Sequence, residues 1–215
     1  MTEIDESPFA SMDRMYRYQR YFYDLTRKFY LLGRDRLISE MRIEPDDRVL
    51  ELGCGTARNL IILAKKHPQA KFFGLDASTE MLKTARAKSE AAGLANVEFR
   101  TALADEFKFG EFGLNEPFDA CFFSYAVSII PPWRESIVNA LANLKPGKSL
   151  YIVDFYDQTN LPGWFGRLLR GWLNKFHVRY PEELIPFLNR LPDVEVRVEP
   201  LFRRYSLLIE VKRKD

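Results

Sequence analysis

The segment at residues 49–59, VLELGCGTARN, constrains the fold of this chain more than any other stretch. Its first residues are apolar and predict a short buried strand, and the residues from Ala57 onward have the spacing of a helix. Gly53 and Gly55 allow a tight turn in which the backbone can approach a ligand closely. A strand, a glycine turn and a helix whose N–H groups face the turn are typical of a nucleotide site.

A second apolar run, residues 71–75, predicts the next strand and ends on Asp76. An acidic residue about twenty positions past the first glycine can accept hydrogen bonds from both hydroxyls of a ribose. Arg58 stands where the dinucleotide-binding fingerprint has its third glycine, which is awkward under a pyrophosphate but acceptable for a ligand whose tail ends in a carboxylate. A NAD-type or non-catalytic Rossmann relative is the alternative.

Glu51, Gly53 and Gly55, together with Asp76, resemble the first motif and second-strand acid of class I S-adenosylmethionine-dependent methyltransferases. The resemblance covers residues 45–155. It implies an α/β fold with a Rossmann-like seven-stranded sheet, mostly parallel with an antiparallel last strand, and helices on both faces. It also implies S-adenosyl-L-methionine as cofactor, S-adenosyl-L-homocysteine as product, and no metal.

The resemblance places the glycine turn against the methionine moiety, Asp76 on the ribose, and Ala77 and Met81 beside the adenine. Asp105, in the loop after the third strand, fits the acid that such enzymes often place near the adenine amino group. The expected cofactor contacts are Glu51, Gly53, Cys54, Gly55, Asn59, Asp76, Ala77, Met81, Ala104, Asp105 and Ser124.

Composition predicts a single globular domain, since the chain has 215 residues of which 47% are hydrophobic and 29% charged. A net charge of +2 is too small to indicate nucleic-acid binding. Both cysteines, Cys54 and Cys121, occupy positions where a reduced cytosolic protein buries small side chains, so we expect no disulfide. The N-terminus lacks an apolar core and no run is long enough to span a membrane, which predicts a cytoplasmic protein.

Hydrophobic periodicity and turn residues predict the remaining elements. The predicted helices are 34–41, 57–67, 79–92, 131–144 and 181–190, and the further strands are 97–101, 118–124, 149–155, 194–198 and 205–212. Ser78 is expected to cap the helix that begins at Thr79. Pro146 and Gly147 predict a turn before the fifth strand.

Residues 12–32 predict one amphipathic helix with tyrosines interleaved among arginines. We expect residues 1–44 to form a helical lid or membrane-facing segment and residues 45–215 to form the methyltransferase domain. A second segment, residues 161–176, places large apolar side chains beside cations without any acid, which is typical of an interfacial membrane helix. A cap helix over the active site is an equal alternative. Peripheral association with an anionic membrane, on the inner face of the cytoplasmic membrane, is therefore expected through residues 12–32 and 161–176.

At a finer level, segments 12–20, 23–36, 124–131 and 153–155 resemble the bacterial methyltransferases of betaine-lipid synthesis, which convert diacylglyceryl homoserine to its trimethylated form. The similar phosphatidylethanolamine N-methyltransferases are the close alternative, followed by an enzyme of a soluble amine and by a non-catalytic binding module. The fourth strand is not followed by the Asn/Asp-Pro-Pro-Tyr motif found in many N-methyltransferases of nucleic acids and proteins, which argues against base or glutamine methylation.

Methylation of an amine requires that the amine lose its proton before it attacks, and that the final quaternary ammonium be held against aromatic faces. The expected catalytic residues are Tyr125, His177 and Tyr16, and the expected aromatic cage is Tyr16, Tyr23, Tyr30 and Tyr125, with core packing as the alternative for each tyrosine. The expected substrate-binding residues are Arg17, Arg20, Tyr23, Tyr30 and Tyr156, with the arginines paired to a carboxylate or phosphate.

Overall fold

The computed structural model describes residues 30–174, 178 and 180–215 and contains one seven-stranded sheet in the order β3-β2-β1-β4-β5-β7-β6. The strands are β1 (Arg48–Leu52), β2 (Lys71–Asp76), β3 (Val97–Thr101), β4 (Phe118–Ser124), β5 (Leu144–Phe155), β6 (Val194–Leu201) and β7 (Ser206–Arg213). The first five are parallel, and β7 runs antiparallel to both β5 and β6. The predicted Rossmann-like sheet with an antiparallel last strand is confirmed.

Helices cover both faces of this sheet. They are α1 (Arg34–Glu40), α2 (Arg58–Lys66), α3 (Thr79–Ala91), α4 (Trp133–Ala142), α5 (Gly163–Asn174) and α6 (Leu184–Leu188), with a short 3-10 helix at Phe109–Phe112. Helices α1, α2, α3 and α5 share a core on one face, and α4 and α6 share a core on the other. Neighbouring strand residues alternate between these cores, as Phe122 and Phe123 do, because side chains alternate across a strand.

The fifth strand differs from its prediction, because it begins at Leu144 and includes the Pro146-Gly147 pair that predicted a turn. Gly147 has a φ of +73°, which lets the strand continue through an irregular step. The pairing register with β4 shifts at that point, between Phe118 and Ala120. The preceding helix α4 correspondingly ends at Ala142, two residues earlier than predicted.

The predicted N-terminal helix lies almost entirely outside the described residues. Tyr30 is helical, but the chain leaves the helix at Leu31, and Gly33, with a φ of +92°, turns it into α1. The lid predicted for residues 1–44 is therefore represented here only by its last part, from Tyr30 onward.

Helical spacing in residues 161–176 predicts one apolar face, made up of Leu161, Phe165, Leu168, Leu169, Trp172 and Phe176. Helix α5 is rotated relative to that prediction, because Gly166, Leu169 and Leu173 are buried whereas Leu168 is 66% exposed. The buried residues are spaced i, i+3, i+7, so the helix turns its small and aliphatic stripe toward the sheet. Leu168 and the 67% exposed Trp164 are left at the surface.

Candidate functional site

The glycine turn after β1 is held against the end of β2 by its backbone. The N–H groups of Gly53 and Cys54 both donate to the carbonyl oxygen of Leu75, at 2.8 and 3.0 Å. Gly53 and Gly55 have φ angles of +71° and +53°, and a Cβ on Gly53 would lie 2.8 Å from the Cβ of Ala126. The turn therefore presents bare backbone to the space above the sheet, as the glycine spacing predicted.

Asp76, at the end of β2, organises this turn as well as facing the pocket. One carboxylate oxygen accepts the N–H of Gly55 at 2.7 Å, and the other accepts the N–H of Ser78 at 2.9 Å. Ser78 in turn caps α3 as predicted, since its hydroxyl accepts the N–H of Met81 at 3.3 Å. Each carboxylate oxygen has two acceptor positions, so Asp76 can hold the turn and still accept bonds from a ligand diol.

A pocket of about 440 Å³ opens beside this turn at the carboxyl edge of the parallel strands. That volume is in the range of small-molecule and cofactor sites, about 300–1,000 Å³, and the carboxyl edge is where open α/β sheets bind ligands. The predicted cofactor contacts that line it are Gly53, Gly55, Asp76, Ala77, Met81, Ala104, Asp105 and Ser124.

Three predicted cofactor contacts, Glu51, Cys54 and Asn59, do not line this pocket but support it from beneath. Glu51 accepts the side-chain N–H of Asn59 at 2.7 Å, which joins β1 to α2. The Cys54 sulfur packs against Gly74 of β2, where a Cβ would come within 2.8 Å of it. Burial, and then the carboxylates of Asp76 and Glu51, raise the pKa of the Cys54 thiol well above its usual value. Cys54 and Cys121 are both free and buried.

Another part of the pocket lining is the loop after β4, from which the sequence predicted only Ser124 and Tyr125 as site residues. Its wall residues after Ser124 are Tyr125, Ala126, Ile129, Ile130, Pro131 and Pro132. Tyr125 has a φ of +57°, so the chain turns sharply as it leaves β4. The sequence feature that marks this loop is an apolar stretch with two adjacent prolines, directly after the buried strand β4.

Asp154 fixes the position of that loop. It is fully buried in β5, and its two oxygens accept the N–H groups of Ser128, at 3.0 Å, and Phe155, at 2.8 Å. Burial raises the pKa of Asp154 to about 6, although its hydrogen bonds act in the opposite direction. Asp154 therefore couples the cofactor pocket to the end of β5.

Tyr125 lines the pocket with its ring while its hydroxyl is engaged elsewhere. The hydroxyl donates to the carbonyl oxygen of Leu32, and the ring meets Phe155 edge to face at 4.8 Å. Burial raises the pKa of Tyr125 well above its usual value. A second tyrosine, Tyr205, donates to the carbonyl oxygen of Tyr30 at 2.8 Å. These two hydroxyls anchor the chain where it enters α1 from the N-terminal segment.

A second cavity of about 560 Å³ lies beyond the end of β5 and combines aromatic rings with charges of both signs. Tyr156 and Tyr180 meet edge to face at 5.2 Å, and Asp157, Glu182 and Arg170 also line the cavity. The Arg204 side chain lies 4.2 Å above the Tyr156 ring and its Nε donates to Asp157 at 2.8 Å. This hydrogen bond holds the pKa of Asp157 below its usual value. Tyr180 had no role in the sequence prediction.

The predicted substrate and cage residues do not meet in one place among the described residues. Tyr156 lines the second cavity, Tyr125 lines the cofactor pocket, and Tyr30 lines a separate apolar groove, where its ring contacts Trp172 at 4.7 Å. An aromatic cage that includes both Tyr30 and Tyr125 is therefore not formed in this structure. The other predicted residues, Tyr16, Arg17, Arg20, Tyr23 and His177, lie outside the described residues.

In the part of the chain that the structure describes, no cluster of three or more His, Cys, Asp or Glu side chains is arranged to hold a metal ion. No helix in residues 30–174 or 180–215 is both long and apolar enough to cross a membrane.

The fold and the pocket are those of a Rossmann-like methyltransferase domain, and comparison of the sequence with protein families leads to the same class. The profile of a family described as a methyltransferase domain matches residues 43–182, so the chain belongs to this family. Membership implies S-adenosyl-L-methionine as methyl donor, and the residues present fit it. The bare-backbone turn has no room for a Cβ at Gly53, and the carboxylate of Asp76 faces the same pocket.

Among characterised proteins, the chain is similar to demethylmenaquinone methyltransferases. It is 32% identical to the one from Listeria welshimeri over 138 residues, which are 64% of this chain and 56% of that relative. The chain thus matches little more than half the length of that protein. It is 26% identical to the one from Geobacillus kaustophilus over 196 residues, covering 80% and 81% of the two chains. These relatives do not support the finer resemblance to betaine-lipid enzymes.

Solved structures share the fold at low sequence identity. A SAM-dependent methyltransferase from Aquifex aeolicus aligns with a TM-score of 0.65 at 19% identity and covers 97% of this chain and 98% of its own. An O-methyltransferase family protein from Burkholderia thailandensis aligns with a TM-score of 0.73 at 20% identity, covering 97% and 64%.

Proposed function

We propose that this protein transfers methyl groups from S-adenosyl-L-methionine to the amine of a lipid headgroup, with diacylglyceryl homoserine as the first candidate acceptor. The observation that carries the proposal is the second cavity, in which two tyrosine rings, two carboxylates and an arginine surround one space. A zwitterionic headgroup needs both kinds of partner, since its ammonium suits rings and carboxylates and its carboxylate suits a guanidinium.

Within the cofactor pocket, this chain's residues bind and orient rather than react. When bound, S-adenosyl-L-methionine supplies a methyl group that is already electrophilic because it is attached to a sulfonium. The glycine turn and Asp76 hold the donor in one position, and the wall formed by Ile129 and Ile130 excludes water from it. Alignment of two reactants in this way can supply a large share of the rate enhancement.

Within the second cavity, Tyr156 and Tyr180 provide ring surfaces for an ammonium that gains methyl groups and loses its hydrogen-bond donors. Glu182 supplies compensating negative charge, since Asp157 is paired with Arg204, and the exposed Arg170 is placed to pair with the headgroup carboxylate. The proton of the incoming amine still needs an acceptor. His177 and Tyr16 are proposed for that role from the sequence alone.

A second candidate acceptor is demethylmenaquinone, because the similar proteins from Listeria welshimeri and Geobacillus kaustophilus are demethylmenaquinone methyltransferases. Transfer to a ring carbon of a quinone would use the same cofactor pocket but would not need a site for an ammonium. Phosphatidylethanolamine and a soluble amine are further acceptors that the same cofactor pocket would serve. Any lipid acceptor would place the protein at the inner face of the cytoplasmic membrane, as the sequence led us to expect.

The test is incubation of the purified protein with methyl-labelled S-adenosyl-L-methionine and vesicles that each contain one acceptor lipid. Label in the betaine lipid supports the proposal. Label only in phosphatidylethanolamine would show that the acceptor headgroup is ethanolamine and not homoserine. Label only in the quinone would show methyl transfer to carbon, and label only in a soluble amine would show that the acceptor is not a lipid.

A site variant makes this test more specific. Tyr180→Ala removes one of the two rings of the second cavity, and we expect it to raise the KM for the lipid amine by about tenfold. The affinity for S-adenosyl-L-homocysteine should stay unchanged, because Tyr180 does not line the cofactor pocket. An unchanged KM would show that the headgroup binds elsewhere.

A further inference from the structure

Three large apolar side chains from two separate elements are exposed on one side of the molecule. Trp164 and Leu168 of α5 are 67% and 66% exposed, and Phe202, in the turn between β6 and β7, is 54% exposed. Leu168 and Phe202 line the same apolar groove, together with Phe165, whose ring lies 5.7 Å from that of Trp164. We call Trp164, Leu168 and Phe202 the apolar ridge. Soluble proteins rarely leave such side chains adjacent and uncovered.

The turn that displays Phe202 has an unusual and well-anchored backbone. Phe202, Arg203 and Arg204 have φ angles of +48°, +57° and +63°, three consecutive left-handed residues without a glycine. Such conformations cost free energy and persist where the surrounding structure holds them in place. Here Arg204 is fixed by its ion pair with Asp157, and its carbonyl oxygen accepts the N–H of Gln158 at 2.9 Å. The Phe202 ring is therefore presented on a fixed support.

Two exposed arginines are sequence neighbours of apolar-ridge residues. Arg167 lies one residue before Leu168 on α5, and Arg203 follows Phe202 in the turn, and both side chains are exposed. Residues 161–174 contain no aspartate or glutamate. Asp157, which holds the β6–β7 turn in place, is already paired with Arg204. Large apolar side chains with exposed arginines next to them are complementary to an anionic lipid surface.

We propose that the apolar ridge docks this protein onto an anionic lipid bilayer, with Trp164, Leu168 and Phe202 at the interface and Arg167 and Arg203 at the phosphates. Charge argues for this occupant over a second copy of the chain. Two copies packed through this surface would bring the exposed Arg167 and Arg203 of each copy together. The proposal extends the sequence prediction for residues 161–176 to a surface that the β6–β7 turn completes. It does not rest on the proposed function.

The experiment is flotation of the full-length protein with vesicles that contain no methyl acceptor, so its outcome is independent of enzymatic activity. Vesicles of phosphatidylcholine mixed with phosphatidylglycerol are compared with vesicles of phosphatidylcholine alone. We expect binding to the anionic vesicles that weakens as salt is added. The doubly substituted variant Trp164→Ser, Phe202→Ser should lose at least about a hundredfold in affinity, because each side chain contributes roughly tenfold or more when buried.

Two further variants separate charge from apolar contact. Arg167→Glu with Arg203→Glu should weaken binding to the anionic vesicles by about tenfold or more and reduce or reverse its dependence on salt. Val138→Ser is the matched control, since Val138 is also exposed, at 48%, but lies on α4 at the opposite face of the sheet. It should bind like the wild-type protein.

Several outcomes overturn the proposal. Failure of the wild-type protein to float, or equal flotation of the Trp164→Ser, Phe202→Ser variant, would do so directly. If that variant instead lowers the melting temperature without changing flotation, the ridge is covered by another part of this chain. If it changes the sedimentation of the protein from a dimer to a monomer, the ridge is covered by a second copy.

Discussion

Gly53 illustrates how the site depends on single backbone positions. Its φ of +71° lies in the left-handed region, and a Cβ there would come within 2.8 Å of the Ala126 Cβ. Ala126 belongs to the loop after β4 that also lines the cofactor pocket, so added volume at Gly53 would displace that loop. Gly113 has nearly the same φ, +70°, but open space around it. Substitutions at Gly113 and Gly53 therefore separate the free-energy cost of the backbone angle from the cost of the contact with Ala126.

We expect Gly113→Ala to lower the free energy of unfolding by about 1–2 kcal/mol through the backbone angle alone. Gly53→Ala should cost about 2–4 kcal/mol, since overpacking is added to the same angle. It should also weaken binding of S-adenosyl-L-homocysteine by at least tenfold, whereas Gly113→Ala should not. Denaturant unfolding and calorimetric titration measure the two effects. Equal behaviour of the two variants would contradict the role of the Gly53–Ala126 contact.

Asp76 is the other residue on which cofactor binding depends. Asp76→Ala is expected to abolish detectable binding of S-adenosyl-L-methionine in a titration, because the ribose hydroxyls lose their acceptor. The structure adds a second effect, since the N–H groups of Gly55 and Ser78 would lose their acceptor as well. We therefore expect a loss of about 1–3 kcal/mol in unfolding free energy with the fold retained. Unchanged cofactor affinity would remove the assignment of Asp76 to the ribose.

At the scale of elements, Asp154 links the loop after β4 to the end of β5. Its carboxylate is fully buried and accepts two backbone N–H groups, one from each of these regions. Burial makes its ionised form costly, which is why its pKa rises to about 6. The connection between the two elements therefore depends on pH.

The sign of this dependence follows from the raised pKa of Asp154. An acid whose pKa is higher in the folded than in the unfolded state stabilises the fold below the unfolded pKa, and that contribution is lost as pH rises through the folded pKa. With a shift from 3.8 to about 6, the wild-type protein should lose of the order of 3 kcal/mol between pH 4 and pH 7 from this group.

Asp154→Asn tests this directly, because asparagine cannot ionise. The variant should be less stable than the wild-type protein at pH 4, since one backbone N–H loses its acceptor oxygen. The difference in unfolding free energy between the two proteins should shrink as pH rises to 7. Urea unfolding at a series of pH values measures it, and a difference that grows with pH would contradict the burial argument.

At the scale of the whole molecule, β7 joins distant parts of the chain. It lies between β5 and β6 in the sheet, and Leu207, Ile209 and Val211 along it are completely buried. They pack in the same core as α4 and α6, so the C-terminal strand completes the domain. The C-terminal hairpin is therefore an integral part of the core.

A pair of valines tests this role of β7. Val211→Ala should lower the unfolding free energy by about 1–3 kcal/mol, because two buried methyl groups are lost from a filled core. Val138→Ala, at a position that is 48% exposed on helix α4, should change it by no more than about 0.5 kcal/mol. Chemical unfolding of both variants gives the comparison. Equal destabilisation would indicate that β7 contributes little to the core.

Several features of the site could be predicted because they depend on local chemistry. A glycine pair after an apolar run, an acid at the end of the next strand and a serine before a helix each have a narrow set of conformations. Gly53, Asp76 and Ser78 accordingly lie where the sequence predicted. The second cavity could not be predicted, because Tyr156 and Tyr180 are brought together only by the packing of α6 and the end of β5.

The same contrast holds for the surface. The sequence by itself determined the fold class and the place of the cofactor pocket, since both follow from hydrophobic periodicity and from residues whose backbone freedom is unusual. It also identified residues 161–176 as apolar and cationic. The rotation of α5, which buries Leu173 and exposes Leu168, was decided by tertiary packing against the sheet. Tertiary packing also decided that Phe202 and α5 line the same groove. Contacts between distant segments depend on how whole elements pack and not on local sequence.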